Sequence, residues 1–459
     1  MRLEDVIQAT GAEGEALREG TVVRNVRIDS RQVCPGDIFV CLPGERTDGH
    51  AFAQDALQRG AAAIMAQNPL PRVGPGAPVL WVGDCLKALG DLGAWWRDCF
   101  RGTVVAVTGS AGKTSVKEFL ASILSQKADT ARNYKNWNNR LGVPLSLLGC
   151  SGQESFWVME AGVNQRGEMD ELARILRPDI ALIHNVGLVH PEGLGGLEGV
   201  AREKAKLVRG VRKKGLVVVS EDYPLLTAAL PEREDLRTVQ FSCLGGQVRY
   251  RGEYLGLADK RGAYRLDMDG VELKPDPGFR AKFQLENILA AAAAAWELGC
   301  GSGEIEAGLA RAELPEHRNK MIRIGNWTLI DDCYNANPVS VRCALQSAGE
   351  LSGASPFIAF LGDMYELGDA AETAHYEMGR EAALQGVEHL LYSGDFIHHV
   401  ERGFREAGGL DGPHPVETGE ELLRFWRGLP FSGGTVLLKA SRGCRLERFL
   451  QILQEELGK

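Results

Sequence analysis

The ten cysteines of this chain include no C-x-x-C pair, which argues against both a zinc site and a disulfide framework. Nowhere does an apolar run approach the roughly 20 residues that cross a bilayer. The amino terminus, MRLEDVIQATGAEGEAL, places apolar residues at helical spacing between acids and lacks the continuous apolar core of a secretory leader. Positive charge is in deficit: 52 basic against 61 acidic residues leave a formal net charge of -9, so no general attraction to nucleic acid or to anionic lipid is expected. Low-complexity tracts and internal repeats are also missing. These absences lead to the expectation of a cytoplasmic, globular monomer with no membrane span and no nucleic-acid partner.

What is present is 44% hydrophobic and 25% charged residues in 459, enough for about three domains. The first hundred residues carry short strand-like runs (TVVRNVRI, DIFVCL, AAAIMA, APVLWV) between Pro and Gly turns, and predict a small α/β domain over 1–101. From residue 102 the rhythm becomes strand, loop, long helix. Its apolar strands TVVAVTG, FWVMEAG, DIALIHNVG and GLVVVS predict a parallel sheet covered on both faces, in a second domain over 102–313. Within it, 245–280 reads as hairpins, followed by the alanine-rich helix LENILAAAAAAWELG. The string LPEHRNKM breaks the helical pattern before the strand WTLIDDCY, and a third domain over 314–459 alternates PFIAFLGD, HLLYSGD and TVLLKAS with helices in a second doubly wound sheet.

The most informative stretch is VVAVTGSAGKTSVKEFL, residues 104–120. Gly109 and Gly112 let backbone amides of Ser110, Ala111 and their neighbours approach an anion; Lys113 adds a point charge, and Thr114, followed by Ser115, can ligate Mg2+. A helix starting near Lys113 would aim its positive end at the same place. Val107 stands where the strict G-x-x-x-x-G-K-[ST] pattern has its first glycine, so the match rests on G-x-x-G-K-T and on its position between a strand and a helix. Glu160 ends the strand FWVME, and His190 follows the strand DIALI, where a parallel sheet presents ligands. A surface glutamate and a capping histidine are the plainer alternatives. The string GLGGLEG mimics a dinucleotide fingerprint, but its glycines are misplaced and no strand leads directly into it.

Several stretches occur together in an order that resembles the Mur ligases: TGSAGKTS, NYKNWNNRLGVPLSLL, MEAGVNQRGEM, HNVGLVHPEGLGGLEGVAREKAKLV, DDCYNANPVS and LGDMYELGD. The likeness spans the chain, because IDSRQVCPGDIFVCLPGERTDGHAFAQDALQRGAAAIM is similar to the family's uridine-binding domain. Within the family, DDCYNANP and LGDMYELG match the branch that joins D-alanyl-D-alanine to UDP-N-acetylmuramoyl-tripeptide, and the DNPR string of the branch adding a diamino acid is missing. The resemblance implies a domain gripping the UDP end, a central P-loop ATPase domain and a Rossmann-like carboxy-terminal domain. ATP and Mg2+ are the implied cofactors, and an acyl phosphate is the implied intermediate.

Residue by residue, the resemblance implies that Lys113, Thr114 and Glu160 serve ATP and a first metal ion, and that His190 serves a second. Lys204 would be a lysine carbamylated by CO2 into a metal ligand; periodicity alone also allows a solvated helix lysine. Asn138, Asn139 and Arg140 would lie in the loop between nucleotide and muramoyl substrate, and Asp29, Ser30 and Arg31 against the uridine diphosphate. Asn287 would face adenine, Arg318 would reach the γ-phosphate, Asp331 or Asp332 would hold ribose, and Asn335 and Asn337 would line the site; a plain Asn-Pro turn is the alternative there. Asp363, Met364 and Glu366 would shape the dipeptide pocket, with Lys439, Ser441 and Arg442 clamping its carboxyl end. Three positions depart from the family pattern: Glu286 replaces a histidine, Lys206 a glutamate and Ala440 a glycine. They leave open a related amide ligase or a non-catalytic relative that only holds the UDP precursor, beside the more distant P-loop kinase or motor.

Overall fold

Short apolar runs between turns produce short strands. In the computed structural model, which describes residues 1–44, 47–187, 191–258, 261–278 and 282–458, the first sheet comprises β1 (Glu13–Glu15), β2 (Val26–Arg27), β3 (Ile38–Val40), β4 (Ala63–Ala66) and β5 (Val79–Trp81). Their order is β1-β5-β4-β3-β2, parallel except for the pairing of β1 with β5. The helix Cys85–Cys99 closes this unit and ties it to the next one. Arg97, wholly buried, donates from Nε to the Leu176 carbonyl at 2.9 Å and from Nη2 to the Asp179 carboxylate at 2.7 Å.

The second sheet has nine strands: β6 (Thr103–Thr108), β7 (Thr130–Arg132), β8 (Phe156–Glu160), β9 (Ile180–Ile183), β10 (Leu216–Ser220), β11 (Arg237–Ser242), β12 (Tyr250–Ala258), β13 (Arg261–Met268) and β14 (Val271–Leu273). The order β14-β13-β12-β11-β10-β9-β6-β8-β7 is parallel from β7 to β12 and then turns antiparallel, as the hairpin expectation required. Helices Lys113–Leu124 and Gln284–Glu297 pack together over one face; Ala290 to Ala295 are all fully buried, and their small side chains permit the close approach. Helices Gly142–Leu148 and Glu168–Leu176 help to cover the other face.

The third sheet, β15 (Lys320–Ile324), β16 (Trp327–Asp331), β17 (Phe357–Gly362), β18 (His389–Ser393), β19 (Asp411–Pro415) and β20 (Gly434–Lys439), orders as β15-β16-β20-β17-β18-β19. All pairs are parallel except β15 with β16. In the central sheet β6 lies between β9 and β8, so connections leave it in opposite directions, and the crevice at such carboxyl ends is where open parallel sheets receive ligands. The third unit leans over that crevice. Its helix Pro338–Ser352 presses Val339 against Gly187, where an added Cβ would lie 2.8 Å from Cγ2, and takes a hydrogen bond at Glu350 from Tyr254 of β12 at 3.0 Å.

Candidate active site

The turn after β6 is shaped by its neighbours as much as by its own glycines. Gly112 has φ +78, and a Cβ there would stand 2.1 Å from Asn287 Oδ1; a Cβ on Gly109 would stand 2.3 Å from the His184 ring. The helix begins at Lys113 directly afterwards. Asn185 Oδ1 accepts from the amides of Ser110 at 2.7 Å and Ala111 at 3.1 Å, and its Nδ2 donates back to the Ala111 carbonyl at 3.0 Å. Lys113 Nζ donates to the Gly109 carbonyl at 3.0 Å and the Ser110 carbonyl at 3.4 Å. Burial drives its pKa down; Glu160 opposes that shift, and the Arg318 guanidinium from the third unit adds to it. Ser115 is buried in the first helical turn.

Glu160 ends β8, 1% exposed, with both oxygens engaged. Thr114 Oγ1 donates to Oε2 at 2.8 Å, and Asn138 Nδ2 donates to Oε1 at 2.6 Å. Asn133, a residue sequence reasoning passed over, accepts from the Glu160 amide at 3.0 Å and donates to the Glu160 and Trp137 carbonyls at 3.1 and 2.8 Å. The fully buried Lys117 holds the same loop by donating to the carbonyls of Asn133 and Lys135, each at 2.9 Å. Hydroxyl and carboxylate oxygens side by side suit Mg2+, a hard cation that keeps water and phosphate oxygens for its remaining positions. Among the described residues no group of three or more His, Cys, Asp or Glu side chains is arranged to hold a metal ion.

Lys204 is 1% exposed and donates to the Gly109 carbonyl at 2.8 Å. Burial, then the nearby Lys113 charge, pushes its pKa well below the ordinary lysine value, which is the condition for a neutral, CO2-reactive amine. The solvated-lysine alternative is therefore excluded. Lys206 stands apart from it: its ammonium is paired with Asp170 and Glu203, each at 2.8 Å. His190 lies outside the described residues. His184 and Asn185, directly after β9, are the site residues that sequence reasoning missed; their place at the end of an apolar strand was the available signal. The His184 ring sets Nδ1 3.0 Å from the Thr108 carbonyl and Nε2 against that of Ala111. Burial is the main cause that lowers its pKa to about 3.

This geometry has counterparts. The chain matches the models of the Mur ligase family catalytic domain over residues 22–95, the Mur ligase middle domain over 107–295 and the Mur ligase glutamate ligase domain over 317–442. It is 33% identical over 453 residues to the UDP-N-acetylmuramoyl-tripeptide--D-alanyl-D-alanine ligase of Escherichia coli, covering 96% of each chain. The chain belongs to the Mur ligase family. Among solved structures, MurF from Acinetobacter baumannii superposes with a TM-score of 0.88 at 29% identity, covering 99% of this chain and 98% of that one. The MurF ligase of Thermotoga maritima, solved in complex with ADP, superposes at 0.83 with 26% identity, covering 96% and 99%.

The remaining residues expected from the Mur ligase likeness fall into place unevenly. Arg318 stacks its guanidinium 4.0 Å over the Tyr334 ring, and its charge is one cause of the lowered Lys113 pKa in the glycine turn. Asp332 accepts from the Asn319 amide at 3.1 Å and from buried Lys439, and Asp331 pairs with His317 at 2.8 Å. Lys439 also donates to the Asn335 carbonyl at 3.0 Å, so its ammonium is held by this segment rather than turned to a ligand carboxylate. Asn337 caps the helix Pro338–Ser352 through a 2.9 Å bond from the Ser340 amide, which favours the plain-turn alternative for the Asn-Pro pair.

Asn287 is buried beneath Gly112 and donates to Gln284 at 3.0 Å. Asn139 accepts from the amides of Leu141 at 3.2 Å and Gly142 at 2.8 Å, a turn-forming role, while Arg140 pairs with Glu171. Asp363 corrects an expectation. It is 3% exposed and accepts from Tyr392 at 2.6 Å and the Asp395 amide at 3.0 Å, so its carboxylate braces the loop after β17 instead of lining an open pocket. Glu366, exposed with φ +62, is on the outer side of that loop, and Arg442 pairs with Glu447 at 3.0 Å. Ser30 is buried and Arg31 exposed in the turn Ser30–Gln32 of the first unit, where Arg31 binds Asp29 at 2.7 Å.

Proposed function

We propose that this Mur ligase uses ATP to activate the terminal carboxylate of UDP-N-acetylmuramoyl-tripeptide as an acyl phosphate and joins it to D-alanyl-D-alanine, forming the UDP-linked pentapeptide of peptidoglycan synthesis. The observation that carries this is the convergence of Lys113, Thr114, Glu160 and Lys204 on one glycine turn. A relative bearing the tripeptide ligase's name, similar over 96% of this chain, supports the choice of substrates.

A carboxylate does not condense with an amine in water because oxide is a poor leaving group. When a carboxylate oxygen attacks the γ-phosphorus, the bond to ADP breaks and an acyl phosphate forms. The dipeptide amine then attacks the acyl carbon, phosphate departs, and the amine gives up a proton. The protein's share is placement and charge. Lys113 and the amides at the start of its helix hold the β- and γ-phosphates, the Ser110 and Ala111 amides being taken by Asn185, and Arg318 adds positive charge from the third unit. Thr114 and Glu160 would hold Mg2+, and Lys204, as its carbamate, with His190 would hold a second ion; ions bound there would supply positive charge against the transferred phosphoryl group. Asn138 steadies Glu160, Asn287 supports the turn on the adenine side, and Asp332 and Asn335 border the ribose.

In this scheme Ser30 and Arg31 meet the UDP end in a domain of residues 1–101, residues 102–313 carry the ATPase, and residues 314–459 carry the dipeptide site around Glu366. One copy of the chain in the cytoplasm suffices. The test is phosphate release from ATP with a panel of UDP-muramoyl peptides, with and without D-alanyl-D-alanine. Release that needs both substrates, and a hydroxamate on addition of hydroxylamine, is expected; release indifferent to the dipeptide would reject the assignment.

A further inference from the structure

Glu286 lies in the first turn of the helix Gln284–Glu297, one residue before Asn287, and its carboxyl group meets Asn185, which holds the phosphate turn. Oε2 receives two donors, Asn185 Nδ2 at 3.4 Å and the Tyr223 hydroxyl at 3.2 Å, while the buried Oε1 has no hydrogen-bond partner. Both contacts are long. Charge-assisted bonds to a carboxylate anion close to about 2.7–2.9 Å from a nitrogen donor and about 2.5–2.7 Å from a hydroxyl, so contacts of 3.4 and 3.2 Å fit a neutral acid accepting at Oε2 better than an anion.

The groups facing Glu286 agree with that assignment. They are Asn185 after β9, Asp222 and Tyr223 after β10, Cys243 after β11, and Cys343 on the helix Pro338–Ser352. None supplies a cation. Asp222 is itself a carboxylate, bound by the Ser242 hydroxyl and by the Cys243 amide at 2.8 Å. The phenol and both thiols are pushed up by burial and stay neutral. Burial, aided by Asp222, raises the Glu286 pKa to about 8.

Asn185 links this acid to the turn. Its four hydrogen-bonding positions are filled: Oδ1 by the Ser110 and Ala111 amides, and Nδ2 by the Ala111 carbonyl and Glu286. We propose that Glu286, acting through Asn185, is a positioning residue for the phosphate turn and works as the neutral acid. A weak acceptor leaves the bonds from Asn185 to Ala111 intact. A carboxylate would shorten the 3.4 Å contact, pulling the Asn185 amide away from the turn, and would set a negative charge beside a bound polyphosphate. By linkage, a bound nucleotide holds the proton on Glu286 as firmly as the proton favours the nucleotide.

The inference rests on the reading that this turn holds ATP's phosphates, and the test separates the two. MgADP affinity is measured by calorimetry for the wild-type protein and Glu286→Gln from pH 6.5 to 9.5. Glutamine keeps a neutral acceptor at every pH, and dividing the two dissociation constants cancels the titration of the nucleotide and of other groups. With binding confined to the neutral form and a midpoint of about 8, the ratio is near one at pH 6.5 and rises about tenfold by pH 9. A flat ratio with intact binding overturns the inference and leaves the nucleotide site standing; no binding by either protein at any pH overturns both. If the glutamine variant does not fold, Tyr223→Phe replaces it. Loss of a donor to Oε2 must then move the wild-type midpoint upward, and an unmoved midpoint overturns the inference.

Discussion

Thr114 and Glu160 meet directly, hydroxyl to carboxylate across 2.8 Å, although 46 residues separate them. The first belongs to the turn after β6 and the second to the end of the adjoining strand β8, so the parallel pairing of Val107 with Glu160 brings them together. The contact joins the glycine turn to a buried carboxylate. Lys113 and Lys204 both donate to the Gly109 carbonyl from different helices, which crowds two amines around the same turn.

Lys113→Ala tests the proposed phosphate contact without opening the core, since the side chain is half-buried and, among the described residues, hydrogen-bonds to the carbonyls of Gly109 and Ser110. Dipeptide-dependent ADP formation is expected to fall by about 10^3-fold, the scale of losing a preorganised transition-state donor, with an unchanged circular dichroism spectrum. Turnover near wild type would remove Lys113 from the site.

Lys204→Ala tests the carbamate. A buried amine with a lowered pKa is nucleophilic toward CO2 near neutral pH, and its carbamate puts an anionic metal ligand where the unmodified side chain has a neutral amine. The variant is expected to lose activity that formate or acetate partly restores. Full activity without added acid would show that no carbamate is required.

His184 makes a stability prediction. A neutral imidazole has one N–H, yet two carbonyls face this ring. The folded protein keeps the ring neutral down to about pH 3, whereas an unfolded chain takes up the proton near the ordinary histidine value of 6.5. The unfolded state then binds more protons, so this contribution to stability is complete above pH 6.5 and is lost as pH falls toward 3. In urea unfolding at pH 7.5, 6 and 5, the stability of the wild-type protein should fall relative to His184→Gln at each acid step. Parallel profiles would contradict the assignment.

Much of the fold was legible because the signals are local. The apolar runs of β6, β8, β9 and β10, the glycine turn and the alanine-rich helix are properties of neighbouring residues. Four of the strands that escaped notice lie at sheet edges: β1 reads EGE and is exposed, and β7, β15 and β19 carry half-exposed polar residues that need only one face covered; the fifth, β11, is inside the central sheet, but its RTVQFS mixes polar with apolar residues and lacks a continuous apolar run. The same limit governs the site. Thr114 and Glu160 sit at motif positions, but Asn185 acquires its role from amides some 75 residues away, and Lys117 and Asn133 from loop carbonyls that no spacing announces. Asp363 shows the converse error: a carboxylate in a suggestive string is turned inward by Tyr392, which only the third sheet brings to it.

The most direct test of acyl-phosphate chemistry follows oxygen. With 18O in the terminal carboxylate of UDP-N-acetylmuramoyl-tripeptide, a single turnover with ATP and D-alanyl-D-alanine should deliver one labelled oxygen to each inorganic phosphate, read by mass spectrometry. Unlabelled phosphate, with the second labelled oxygen released to water instead, would contradict it.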